Sequence, residues 1–210
     1  MNQSAPDLES PVIRLIDDDV DTRRQTQAIL HEAGYQVVCH GSAGEALLAG
    51  LGSAPGCIVT EIQMSGPSGL ELQDRIASEP DPLPVVFLAW GATVHETLRA
   101  MKAGASDFLF KPVDGAALLS AVRKALAQDM ARRRARRRLA ALQTRYSRLS
   151  PRERQVLAMV VDGSLNKQIS ASLGAAERTI KVHRQHVMQK MEAGSLAELV
   201  RVATQLDVAR

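Results

Sequence analysis

The chain has 210 residues, 45% of them hydrophobic, and a formal net charge of +3, which fits one or two globular domains. No run of about 18 apolar residues occurs, so a helical membrane span and the functions that need one are excluded. The start, MNQSAPDLES, is neither basic nor apolar, so no secretory signal is expected and the cytoplasm is the expected location. The charge is unevenly spread. Residues 1–127 carry a net −7, residues 128–148 a net +7 and residues 149–210 a net +3. An acidic front and a basic rear point to nucleic acid as a partner of the rear alone. Cys39 and Cys57 stand in apolar, strand-like surroundings and read as buried free thiols.

Residues 1–10 are polar, contain Pro6 and read as disordered. Val12 to Ile16 is an apolar run suited to a buried strand, and it ends in Asp17, Asp18 and Asp19. A helix is predicted from about Val20 to Ala33, closed by Gly34. Tyr35 to His40 reads as a strand and Ser42 to Ala49 as a helix. Cys57 to Thr60 is a third strand, ending at Glu61. Gly66 and Pro67 mark a loop, and Gly69 to Ser78 a helix. Pro84 to Ala89 is a fourth strand, and Val94 to Ala103 a helix ended by Gly104. Asp107 to Phe110 is a fifth strand, followed by Lys111 and Pro112. Leu118, Leu119, Val122 and Leu126 mark the helix after it.

Strands that alternate with helices predict an α/β fold with a doubly wound, five-stranded parallel sheet. Sites in such sheets lie outside the carboxyl ends of the strands. Asp17, Asp18, Glu61, Ala89 and Lys111 stand at those ends, so an acidic pocket with one lysine is expected.

The stretches LIDDDV, CIVTEIQMSGPSGLEL, PVVFLAWGA and RAMKAGASDFLFKP resemble a response-regulator receiver domain over residues 11–127. The resemblance implies a Mg²⁺-binding acidic pair, here Asp17 and Asp18, and a pocket lysine, here Lys111. It also implies an Asp that accepts phosphate, and Glu61 stands at that position. The hydroxyl-bearing switch position is Ala89, its aromatic partner matches Phe108, and Ser65 stands where Pro is usual. Glu is one methylene longer than Asp, and in-line phosphoryl transfer tolerates misplacement of only about an ångström. Glu61 is therefore a poor acceptor, and Ala89 has no hydroxyl to bond a phosphate. Two readings of Glu61 stay open: a permanent charge that partly mimics the phosphorylated state, or a decayed site. No cofactor is required, and weak Mg²⁺ binding by Asp17, Asp18 and Glu61 is compatible with the pocket. Trp90, the single tryptophan, either covers the pocket or packs on the surface.

Residues 128–148 hold no Gly or Pro and are rich in helix formers, so the preceding helix is expected to continue through them. Leu139, Leu142 and Tyr146 form a narrow apolar stripe that could pair with another chain. Its basic run either touches phosphates or is a solvated, self-repelling helix.

Residues 149–210 read as four helices. Ser150, Pro151 and Glu153 have the spacing of a capping box, and Val156, Leu157, Val160 and Val161 follow at helical spacing. Gly163 ends that helix. Asn166 to Leu173 is short and ends at Gly174, and a third helix starts near Glu177. Two short helices about a tight turn are a helix-turn-helix pattern. On the third helix Ile180, His183, Val187 and Met191 share one face, the predicted core side. Arg178, Lys181, Val182, Gln185 and Gln189 occupy the other, with Arg184 at its edge. Lys and Arg can read guanine, Gln adenine, and Val the thymine methyl. The stretches LSPRERQVL, NKQIS and TIKVHRQHVMQKM resemble the LuxR-type DNA-binding domain of FixJ/NarL-type response regulators. That resemblance implies binding of double-stranded DNA as a homodimer, with Asn166, Lys167, Arg178, Thr179, Lys181, Val182, Arg184 and Gln185 as the contact set. Leu165 and Ala176 stand where Ser or Thr caps are common.

The expected protein is a transcriptional regulator, with a receiver departing from its family's pattern joined by a helical linker to a DNA-reading domain. No enzymatic turnover is expected, since the chain has no P-loop, zinc-ligand cluster or Ser/His/Asp pattern. One alternative is phosphorelay control through a non-standard acceptor, with a histidine kinase or other regulatory protein as partner. Another is a protein-interaction regulator that does not read DNA, against which the stripe of Arg178, Lys181, Val182 and Gln185 argues.

Overall fold

The computed structural model describes residues 10–206, so the expectation of a disordered start falls, apart from Ser10, outside the described residues. The chain divides into two compact units between Arg132 and Arg133. In the first, β1 (Val12–Ile16), β2 (Gln36–His40), β3 (Gly56–Glu61), β4 (Val85–Ala89) and β5 (Asp107–Phe110) form one sheet. Their order is β2-β1-β3-β4-β5 and every pairing is parallel. Between them run α1 (Val20–Glu32), α2 (Ala43–Ala49), α3 (Gly69–Ala77) and α4 (Val94–Lys102), and α5 (Gly115–Ser147) follows β5. This is the expected doubly wound sheet.

Strand periodicity of two explains the layering. Ile16, Ile58 and Phe87 belong to one buried cluster, and Ile13, Leu15, Val59, Val86 and Leu88 to the other. The central strands β1, β3 and β4 are buried on both faces, as strands covered by helices on both sides are. The sheet order reverses between β1 and β3, where the carboxyl ends leave a crevice. Helix starts are fixed by side chains: Asp19 accepts from the Thr22 N–H at 2.7 Å, and Ser68 and Thr93 form capping boxes with Glu71 and Glu96. Cys57 is buried, with its pKa pushed up to about 12 by desolvation, and Cys39 is half-buried; both are free.

Helix α5 is continuous for 33 residues, as its composition predicts. Its first half packs Leu118, Val122 and Ala125 on the sheet. Gln128 and Asp129, read from sequence as the start of a linker, are held by the first unit. The Ser106 hydroxyl donates to Gln128 Oε1 at 2.6 Å. Buried Asp129 accepts from the Gly56 N–H at 3.0 Å.

In the second unit the end of α5 joins α6 (Pro151–Val161), α7 (Asn166–Leu173), α8 (Glu177–Met191) and α9 (Leu196–Gln205). Leu142 of α5 is buried with Val156, Leu157, Ile169, Ile180 and Met191, and Tyr146 packs against them. The stripe expected to pair with another chain is thus largely taken up by this unit's own core, and only Leu139 stays exposed. Ser150, Glu153 and Pro151 start α6 as predicted. Leu165 and Ala176 give α7 and α8 no side-chain cap.

One close approach under the crevice is testable. A Cβ on Gly69 would lie 2.3 Å from the Glu61 carbonyl oxygen and 3.1 Å from the Phe87 ring. Gly69→Ala is expected to destabilise the protein by about 1–3 kcal/mol, read as a lower urea midpoint of the receiver-type unit with an unchanged slope.

Candidate functional site

The ends of β1, β3 and the segment after β5 bring Asp17, Glu61 and Lys111 together. Lys111 Nζ donates to Asp17 Oδ2 at 2.7 Å, and Glu61 Oε2 lies against the same ammonium as an ion pair off the line of a hydrogen bond. All three side chains are buried. Asp17 Oδ1 accepts from the Asp19 N–H at 3.0 Å. Glu61 Oε1 turns back on its own backbone, accepting from Ile62 N–H at 2.8 Å and Gln63 N–H at 3.3 Å. Burial works against the Lys111 charge, but the hydrogen bond to Asp17 and the attraction of both carboxylates outweigh it and hold the ammonium above its ordinary pKa.

Asp18 stands apart. It is exposed, and its Oδ2 accepts from the Ser65 N–H at 2.8 Å and the Ser65 hydroxyl at 3.0 Å. A proline at residue 65 would offer neither donor. Of the four pocket residues predicted, the structure therefore gathers three and ties the fourth to Ser65. Among the described residues no group of three or more His, Cys, Asp or Glu is arranged to hold a metal ion.

Ala89 is fully buried at the end of β4. Phe108 is half-buried, with ring centroids 6.0 Å from Phe87 and 5.4 Å from Phe110. Trp90, whose position sequence left open, is 65% exposed. It lines a small cavity of about 90 Å³ with Lys111, Pro112 and residues of α1.

In the second unit, α8 divides as predicted. Ile180, Val187 and Met191 are buried and His183 is half-buried. Arg178, Thr179, Lys181, Val182 and Gln185 are exposed, as is Lys167 in the first turn of α7. Arg184 is half-buried, and its guanidinium donates to Asn166 Oδ1 at 2.9 Å, joining α8 to α7. A shallow groove of about 570 Å³ runs between Asn166, Lys167, Lys181 and Arg184. On the outer side of α9, Leu196 is exposed and Val200 half-buried, while Leu199 and Val202 are inside.

Residues 13–123 match the family model "Response regulator receiver domain", and residues 147–203 match "Bacterial regulatory proteins, luxR family". The chain is 41% identical to the transcriptional regulatory protein FixJ of Azorhizobium caulinodans, over 96% of this chain and 95% of that one. It is 39% identical to nodulation protein W of Bradyrhizobium diazoefficiens, over 94% and 87% of the two. The solved structure of the response regulator StyR aligns with a TM-score of 0.84 at 39% identity, covering 93% of this chain and 99% of that one. The chain belongs to the response-regulator family. It is a transcription regulator with a LuxR-type DNA-binding domain. Among the described residues, no helix is long and apolar enough to cross a membrane.

Two contacts that position this response regulator's α8 escaped sequence reasoning. Glu153 was predicted only as a capping residue. Its carboxylate accepts from the Ser150 N–H at 2.8 Å and from Lys190 Nζ at 2.7 Å, with His186 Nδ1 at 3.5 Å, so it clamps α6 to α8. Arg145 Nη2, near the end of α5, pairs at 2.5 Å with Glu192, the left-handed residue that ends α8. Neither pairing leaves a local signal in the chain.

Burial of Glu153 favours its neutral form, but Lys190 and the Ser150 N–H prevail and hold its pKa below the ordinary 4.5. Its contribution is therefore fully present above about pH 4.5 and is lost as pH falls through the lowered folded value. Glu153→Gln is expected to cost about 1–3 kcal/mol at pH 7. It should also flatten the acid side of a melting-temperature profile below pH 4.5, as calorimetry would show.

Proposed function

We propose that this regulator reads double-stranded DNA through α8 as a homodimer, and that its DNA binding is independent of phosphorylation. The observation that carries the first part is the exposed set Arg178, Thr179, Lys181, Val182 and Gln185 on a helix whose other side is buried. An isolated solvated face has no use for Val182, which is 44% exposed. Lys167 and the Arg184–Asn166 pair border the same groove and fit phosphate contacts, which fix register but not sequence. The outer side of α9, with Leu196, is the candidate dimer contact. Two such domains would meet half-sites about one helical turn apart.

The second part rests on Glu61. Each of its carboxylate oxygens is engaged, one by the Ile62 and Gln63 N–H groups and one by the Lys111 ammonium. An attacking oxygen would have to leave an ion pair, and the extra methylene displaces it from in-line geometry. Ala89 offers no hydroxyl for a phosphate. The ion pair favours mimicry over decay, because Glu61 supplies Lys111 with a permanent negative partner. The inward oxygens of Asp17 and Glu61 are engaged, and Asp18 is turned to Ser65, so this donor set does not fit a divalent ion and no step runs through one. A histidine kinase is not needed for DNA binding in this reading, and the cytoplasm is its place of action.

Specificity is tested on a duplex selected from a random pool. Lys181→Ala and Gln185→Ala should each cost about 1–3 kcal/mol there. Lys167→Ala should weaken selected and random duplexes alike. Equal and negligible change of base preference in Lys181→Ala and Lys167→Ala would remove α8 as the reader, and a footprint over one half-site at saturation would remove the dimer.

Phosphate independence is tested by incubation with a small phosphodonor, followed by intact mass and a DNA titration. The unmutated chain should gain no stable phosphoryl group. Glu61→Asp should gain one with little change in DNA affinity, and Glu61→Asp with Ala89→Thr should gain both. An adduct on the unmutated chain with tenfold tighter binding would refute the reading, and unchanged DNA binding by Glu61→Ala would leave independence but remove mimicry.

A further inference from the structure

We propose that the arginine-rich stretch of α5 is a second DNA-contacting surface, which grips duplex phosphates without reading bases. The inference rests on the DNA-binding reading above and extends it to residues outside the helix-turn-helix. Arg132, Arg133, Arg134, Arg136, Arg137 and Arg138 fall within two helical turns, and no acidic residue occurs between Asp129 and Glu153. Arg132, Arg134, Arg137 and Arg138 are exposed, and among the described residues none of these four has an ion-pair or side-chain hydrogen-bond partner.

From Arg133 onward the stretch belongs to the unit that carries α8. Leu142 is buried in the second unit's core, the Arg154 guanidinium sits 5.1 Å from the Tyr146 ring centroid, and Arg145 pairs with Glu192 at the end of α8. At about 1.5 Å of rise per residue, Arg138 lies roughly 6 Å along the helix from Leu142, and Arg133 roughly 14 Å. The arginines thus form a stiff arm and not a floppy tail, so little ordering entropy opposes their use.

The spacing suits a polyanion. Arg132 and Arg136, Arg133 and Arg137, and Arg134 and Arg138 are like-charged pairs four residues apart, which repel one another on a helix. The three pairs stand about 100° apart around the helix, so arginine covers about two thirds of its circumference and the remaining side carries Ala131 and Ala135. Duplex DNA carries one charge per about 1.7 Å of its axis and gains by releasing counterions to such a surface. The same unit carries Lys167, Lys181 and Arg184, so the duplex is the polyanion already at hand. An acidic protein surface is the competing occupant.

The test measures the salt dependence of binding by the full chain to a random-sequence duplex of about 30 base pairs. The probe needs no operator. Arg132→Gln, Arg134→Gln, Arg137→Gln and Arg138→Gln are combined in one variant. Two lost contacts per chain should flatten the slope of log K against log salt by about 1.8, at about 0.9 per contact. Selected and random duplexes should lose affinity by the same factor, with base preference unchanged. The four-fold Arg→Lys variant should keep the slope, which separates charge from helix damage. A two-site variant, Arg134→Gln with Arg138→Gln, should give about half the flattening and serves if the larger variant loses helical circular dichroism. An unchanged slope overturns the proposal. So does a loss of base preference, which would make the arginines props for α8. Tighter DNA binding by the Gln variant also overturns it, in favour of an acidic protein surface as occupant. Lys181→Ala is titrated alongside. If it keeps the base preference, the reading of α8 fails while the slope still judges the arginines.

Discussion

The Lys111 ammonium is the charge on which the front of this protein depends. Asp17 and Glu61 are buried at the ends of adjacent strands, and two bare carboxylates cannot share such a site without a cation. Lys111 supplies it from 94 residues away in the chain from Asp17. The ion pair therefore acts as a tie across the crevice, joining the end of β1, the end of β3 and the segment after β5. In a receiver with a short aspartate at residue 61, the space before that lysine would stay open to an incoming group. Here the longer side chain reaches the lysine itself, so the ammonium is flanked by two carboxylates of this chain.

The second unit uses the same device at another scale. Glu153 starts as a helix cap and ends as a hub. It accepts from the first turn of α6 and from Lys190 on α8. A single carboxylate thus ties the first turn of α6 to the end of α8. The Arg145–Glu192 pair fixes the same end of α8 to α5. Both clamps hold the carboxyl-terminal end of α8, while Ile180, Val187 and Met191 pack the rest of it into the core, so its exposed face is carried by a helix with little freedom to rotate.

Most of the fold was legible because its signals are local. Strand runs, Gly stops and Ser or Asp caps occupy a few residues each, and the observed bounds fall within a residue or two of those expected. Position at a strand end was enough to group Asp17, Glu61 and Lys111, because a parallel sheet places its carboxyl ends along one edge. The sequence was silent where partners are remote. Asp129 was grouped with the basic linker on composition, yet it bonds to Gly56, 73 residues earlier. Asp18 was placed in the pocket by its neighbour Asp17, whereas the Ser65 donors draw it outward. Leu142 and Tyr146 had the spacing of an intermolecular stripe, and only the three-dimensional path of α5 shows that the core beside them claims both.

The placement of Trp90 has an optical consequence. It is the chain's one tryptophan, and it borders the cavity that Lys111 also lines. Light absorbed at the red edge of the aromatic band is therefore emitted from this single indole, beside the pocket and nowhere in the DNA-binding unit. The indole is largely in water, so a molecule or partner settling over the cavity would strip that water and shift the emission to shorter wavelength. The protein thus carries an intrinsic fluorophore that watches its receiver face without any label, and that is blind to events at α8 unless they are transmitted through the chain.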